Sequence, residues 1–141
     1  MIDTIGIDIS KDTLDVHWLS DGRHARLGND KAGLATLRRG LGKVPVRIVY
    51  EATGRYHRDL EAALEPAGHA LVKVNPTRAR RFAQAISQGA KTDGVDAAML
   101  ARMGAVLDLE AKPVRSCSMH EIRELHVARI GLVKDRTACR N

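Results

Sequence analysis

The chain has 141 residues, 23 Lys and Arg against 17 Asp and Glu, 44% apolar residues and just four aromatics, Trp18, Tyr50, Tyr56 and Phe82. That length suits one domain, or one domain with a short appendage, and the apolar share argues against a wholly disordered chain. No apolar run nears the roughly 20 residues that span a bilayer, the start Met1-Ile2-Asp3-Thr4 is no secretory signal, and Cys117 and Cys139 make neither a disulfide framework nor a zinc site, which points to reduced thiols in a cytoplasmic protein.

Thr4-Ile5-Gly6-Ile7-Asp8-Ile9 reads as a short buried strand. Residues 13–19 alternate, with Leu14, Val16 and Trp18 on one face and Asp15 and His17 on the other. The Asp21-Gly22 turn signal returns the chain through 23–27 as a third strand. Asn29 or Asp30 can cap a helix in which Leu34, Leu37 and Leu41 share a face, and 44–50 reads as a strand buried on both faces. Thr53 can cap the next helix, with Leu60, Ala63 and Leu64 inward and an end near Pro66-Ala67-Gly68. Residues 70–74 form another strand, and Pro76 opens a basic helix to about Ser87 with Phe82 and Ala85 toward the core. A helix over 93–106 follows. After Pro113 a last helix begins near Ser118, with Met119, Ile122, Leu125, Leu132 and Val133 as an apolar stripe that Arg129 interrupts. The order βββαβαβα implies an α/β fold with a mixed sheet, antiparallel at one side, and helices packed on it.

The charge is unevenly spread. Residues 1–65 balance ten basic against ten acidic side chains, 66–92 hold five cations and no acid, 93–111 are net −3 and 112–141 net +4. A basic stretch beside an acidic cluster suggests a surface for a polyanion next to a site for cations, against the plainer reading of a solvated helix face. Four carboxylates stand out. Asp8 lies within an apolar strand, Glu51 ends another before Ala52-Thr53-Gly54, and Asp93 and Asp96 are three apart at the expected start of a helix. Converging acids repel one another, and a divalent cation removes that objection because hard cations prefer carboxylate oxygens. Each acid also has a local explanation: a strand terminator for Asp8, pairing with Arg55 for Glu51, a helix cap and dipole partner for Asp93 and Asp96.

Gly6-Ile7-Asp8-Ile9-Ser10-Lys11, Tyr50-Glu51-Ala52-Thr53-Gly54, Val74-Asn75-Pro76 and Lys91-Thr92-Asp93-Gly94-Val95-Asp96-Ala97 follow in that order. Together they resemble the motifs of the DEDD insertion-sequence transposases, serine-dependent recombinases guided by a bridge RNA, over about residues 4–140. The resemblance implies an α/β ribonuclease-H-like (RuvC-like) domain over 1–112, with a mixed five-stranded sheet flanked by helices. Residues 113–141 would begin a helical coiled coil, truncated here, with the family's C-terminal serine domain absent. It further implies that Asp8, Glu51, Asp93 and Asp96 are the catalytic acids and ligands of Mg2+, for which Mn2+ would substitute. The implied partners are donor and target DNA, a guide RNA and a second copy of the chain, joined through the last helix into a homodimer or higher oligomer. The implied place is the cytoplasm of a bacterium or archaeon, with the nucleoid. Lys11, Arg55, Lys73, Arg78, Arg80, Arg81 and Lys91 are expected to hold nucleic-acid phosphates. His57, His69, His120 and His126 lack paired metal spacing and are expected at the surface. Ser10, Ser20, Ser87, Ser116 and Ser118 have no matching context, so the nucleophilic serine would come from the missing domain. Three other readings stay open: a resolvase-type nuclease using metal-bound water, an actin-like or sugar-kinase ATPase, and a non-catalytic RNA-binding and dimerisation module.

Overall fold

The computed structural model describes residues 2–52, 54–86, 96–111 and 117–139, with the backbone course alone for 117–121. The strands are β1 (Thr4–Ile9), β2 (Thr13–Trp18), β3 (His24–Gly28), β4 (Arg47–Glu51) and β5 (Ala70–Val74). The helices are α1 (Lys31–Leu41), α2 (Arg58–Leu64), α3 (Pro76–Ile86), α4 (Ala97–Val106) and α5 (Cys117–Ala138), with a short 3-10 turn at Glu65–Ala67. The five strands form one sheet in the order β3-β2-β1-β4-β5. β1, β2 and β3 are antiparallel neighbours, while β4 runs parallel to β1 and β5 parallel to β4. This mixed five-stranded sheet with flanking helices agrees with the ribonuclease-H-like expectation.

Side-chain alternation splits the core in two. Ile5, Ile7 and Ile9 of β1, with Leu14, Val16 and Trp18 of β2 and Ile48 and Tyr50 of β4, pack under Leu34, Leu37 and Leu41 of α1 and Leu60 and Leu64 of α2. The opposite face is smaller: Val49, Val72 and Val74 meet Ala79 and Ala83 of α3 and Met99, Leu100 and Met103 of α4. Each fully buried aliphatic side chain contributes about 1.5–3 kcal/mol. Gly6 faces α4 so closely that a Cβ there would collide with the carbonyl of Ala97 and lie 2.6 Å from the nitrogen of Ala101. The missing side chain lets the first turn of α4 lie directly on the central strand.

Several boundaries differ from the sequence expectation. Asp30, not Asn29, caps α1, its carboxylate accepting from the Gly33 N–H at 2.8 Å. β4 starts at Arg47 because Val44 is 74% exposed ahead of Pro45. α2 starts at Arg58 rather than after Thr53; Gly54, with φ of 53°, turns the chain first in a conformation side-chain-bearing residues avoid. α4 starts at Ala97 with Asp96 as its cap, so the expected helix from 93 is shorter, and Asp93 lies outside the described residues. On α3 the inward residues are Ala79 and Ala83, with Phe82 half-buried beside them, while Ala85 faces solvent.

Candidate functional site

β1 and β4 run in register through the pair Ile7 and Tyr50, and Asp8 and Glu51 stand one step further on each strand. Ile7 and Tyr50 point into the α1–α2 core, so alternation sends Asp8 and Glu51 to the α4 face. Asp96 reaches the same end by a third route. It caps α4, accepting from the Met99 N–H at 2.7 Å through Oδ1, and the next residue, Ala97, is the one that touches Gly6 on β1. Two strand ends and one helix cap therefore bring three of the four expected acids to one end of one sheet face. Asp93 and Lys91 lie outside the described residues.

The electrostatics report this convergence. Asp8 is half-buried, and its carboxyl is held above the ordinary aspartate range, first by desolvation and then by the charges of Asp15, Glu51 and Asp96, with the Ile9 backbone N–H opposing. Asp15 carries no role in the sequence reading, although the signal was there. An antiparallel hairpin turning at 10–13 sets Asp15 opposite Asp8, and the two are in register. Asp15 is in turn opposite Arg26, whose guanidinium reaches both its oxygens at 3.1 Å. Ser10 is occupied locally, its hydroxyl 2.7 Å from that of Thr13 and accepting from the Thr13 N–H at 3.0 Å.

Among the described residues no three His, Cys, Asp or Glu side chains are close enough together to form a finished metal cage. The donor chemistry nevertheless fits a hard divalent cation: every convergent group is a carboxylate, and Asp96 keeps Oδ2 beside the oxygen used for capping.

The opposite face holds a second polar cluster that sequence reasoning missed. Glu61 is 3% exposed, and its Oε1 accepts from the Tyr50 hydroxyl at 2.5 Å and from Lys73 Nζ at 2.6 Å. Lys73 also lies 3.0 Å from Nε2 of His57, which is buried rather than superficial. Lys73 sits opposite Tyr50 in the β4–β5 register, so it lies on the face away from the acids, not beside them. His69 is likewise buried; its Nδ1 accepts from the Val46 N–H at 3.4 Å, and desolvation pulls its pKa below the ordinary histidine value. His126 is exposed as expected, and the side chain of His120 lies outside the described residues.

A family model described as a transposase, DEDD_Tnp_IS110, matches residues 5–141 and so spans all four expected carboxylates. The chain belongs to this transposase family. The pilin gene-inverting proteins of Moraxella lacunata and Moraxella bovis are each 30% identical to it over 108 residues, covering 72% of this chain and 34% of the relative. The chain thus spans about a third of the length of these curated relatives.

Within this transposase domain the expected phosphate-binding cations are dispersed. Lys11 is exposed on the turn after β1, Arg55 is exposed ahead of α2, and Arg78, Arg80 and Arg81 are exposed along α3. Arg58, at the start of α2, is bonded to Glu124 of α5 at 2.5 Å. Among the described side chains of α5, Ile122 is 58%, Leu125 71% and Leu132 70% exposed. No described helix is long and apolar enough to cross a membrane.

Proposed function

We propose that this chain forms the acid-bearing part of a DNA transposase or recombinase that cuts and rejoins phosphodiesters, with Mg2+, or Mn2+ in its place, held by Asp8, Glu51, Asp93 and Asp96. The observation that carries the reading is the meeting of Asp8, Glu51 and Asp96 at one end of the α4 face, where Glu51 and Asp96, along with neighbouring Asp15, raise the proton affinity of Asp8. Bound there, a divalent cation supplies charge neutralisation at the scissile phosphate and at the attacking and leaving oxygens. Asp8 anchors the site from the centre of the sheet, Glu51 approaches from the adjacent strand end, and Asp96 ties the site to α4. Arg26 pairs with Asp15 at the margin, while the charge of Asp15 still acts on Asp8.

Exposed Lys11, Arg55, Arg78, Arg80 and Arg81 suit a phosphodiester backbone, which makes binding steeply salt-dependent. DNA is the substrate in this reading, and the family resemblance adds a guide RNA. The relatives' description as gene-inverting proteins fits a reaction in which cut ends are rejoined. Ser10, engaged with Thr13, is not assigned the attacking role. The exposed apolar side chains of α5 are assigned to pairing with a second copy.

Titration calorimetry of the chain with Mn2+ tests the metal reading. Saturable binding in the wild type, weakened by about tenfold or more in both Asp8→Asn and Glu51→Gln, is the expected result. Equal heats in all three proteins would overturn it.

A further inference from the structure

Asp8 and Glu51 lie on different strands: Asp8 is laddered to Asp15 of β2 and Glu51 to Val74 of β5, while the direct pairing of β1 with β4 ends at Ile7 and Tyr50. Beyond Ile9 and Glu51 each strand runs into a turn, and one side chain joins the two turns. Asn29, between β3 and α1, donates through Nδ2 to the carbonyl of Ser10 at 2.9 Å and to the carbonyl of Tyr56 at 3.2 Å. Its own backbone N–H donates to the carbonyl of Asp12 at 2.9 Å. The orientation of the carboxamide is set by its partners: both are carbonyl oxygens, which only the NH2 end can serve, and a flipped amide would set oxygen against oxygen. Oδ1 is buried with no hydrogen-bond partner among the described residues, so the carboxamide is held from its donor side alone.

From this geometry we propose that Asn29 is a positioning residue for the candidate site, setting the separation of Asp8 and Glu51 by tying the turn after β1 to the turn after β4. Asp8 is two residues before Ser10, and Glu51 five before Tyr56. The far side of the β4 turn is already pinned, since Tyr50 at its start and His57 at its end both belong to the Glu61–Lys73 cluster. Asn29 adds a direct link toward β1, past the last β1–β4 pair. Its effect on Asp8 and Glu51 is indirect, through the backbone. Capping cannot account for the side chain, because Asp30 caps α1.

The inference rests on the reading of Asp8 and Glu51 as a cation site, and its test has one arm that does not. Amide hydrogen exchange is measured on the metal-free chain in the wild type, Asn29→Ala and Asp30→Ala, and Mn2+ affinity is measured on the same three proteins. In Asn29→Ala, exchange should quicken together at 10–12 and at 54–57, and Mn2+ affinity should fall by about tenfold. Asp30→Ala loses the α1 cap, so its thermal midpoint should drop while the two turns and the Mn2+ affinity stay as in the wild type. Asn29→Leu, similar in size and without donors, takes the place of the alanine variant if that one does not fold. Quickened exchange confined to one turn, or unchanged Mn2+ affinity where the wild type binds, would overturn the proposal. A wild type that binds no Mn2+ would remove the cation reading, and the exchange pattern would still decide whether Asn29 couples the turns.

Discussion

On the face beneath α1 and α2, Glu61 is buried against a phenol and an ammonium, so its charge is answered from within the chain. On the face beneath α4, Asp8 is half-buried among Asp15, Glu51 and Asp96, and every side-chain charge that moves its pKa is negative. The same sheet thus carries one acid satisfied as a structural group and another left at an electrostatic disadvantage. A buried acid that has its donors serves the fold; one among like charges is eased by taking up a proton or, in the proposed reading, by a cation from outside the chain.

The comparison breaks most severely at Gly6. The Cβ of Gly6→Ala would overlap the Ala97 carbonyl and crowd the Ala101 nitrogen, both backbone atoms that cannot rotate away. α4 would have to lift from β1, opening the smaller core and carrying Asp96 away from Asp8. Chemical denaturation should show a loss of about 3 kcal/mol or more, at the upper end for overpacking. A loss below about 1 kcal/mol would mean that α4 is not seated as described.

A smaller effect is expected from Glu61→Ala on the opposite face. The variant leaves the Tyr50 hydroxyl buried without its acceptor and Lys73 without its counter-ion. Removing one partner of a fully buried pair costs about 3–5 kcal/mol, but the Lys73 side chain is 36% exposed and can turn to water, so about 2 kcal/mol is expected by denaturant unfolding. Mn2+ affinity should change far less than in Asp8→Asn, since the cluster lies on the other side of the sheet. A loss of affinity equal to that of Asp8→Asn would merge the two regions into one site.

The strand pattern was legible because hydrophobic alternation and the Asp21-Gly22 turn are local signals, and so was the arrival of Asp8 and Glu51 at strand ends. Asp96 was visible as a residue near a helix start, but its capping role was not, because the choice between 93 and 96 depends on where the helix lands on Gly6. Charge alone places Lys73 with the phosphate-binding cations; its register opposite Tyr50, which sends it to the other face, is a long-range fact. Glu61 was hidden for a similar reason. An acid in the first turn of a short helix looks solvated until Tyr50, eleven residues earlier, is known to lie beneath it. Asn29 looked like a cap because that is the common use of asparagine before a helix, whereas its bonds to Ser10 and Tyr56 cross elements no local pattern connects.

The smallest effect, and the one that sharpens the contrast most, concerns Asp8 in the metal-free chain. Its native pKa is raised above the ordinary 3.8, so the folded protein binds that proton more tightly than the unfolded chain does. Linkage then makes stability fall as pH rises from about 3.8 through the native value, and the deficit persists above it. Asp8→Asn removes the charge while keeping an oxygen for the Ile9 N–H, so without metal the variant should melt a few degrees above the wild type at neutral pH. The two melting curves should converge as the pH is lowered and the wild-type carboxyl takes up its proton. Added Mn2+ should raise the midpoint of the wild type and leave the variant nearly unmoved, because a ligand stabilises only the state that binds it. Identical melting at neutral pH without metal would mean that Asp8 is compensated as fully as Glu61, and the two faces would no longer differ in kind.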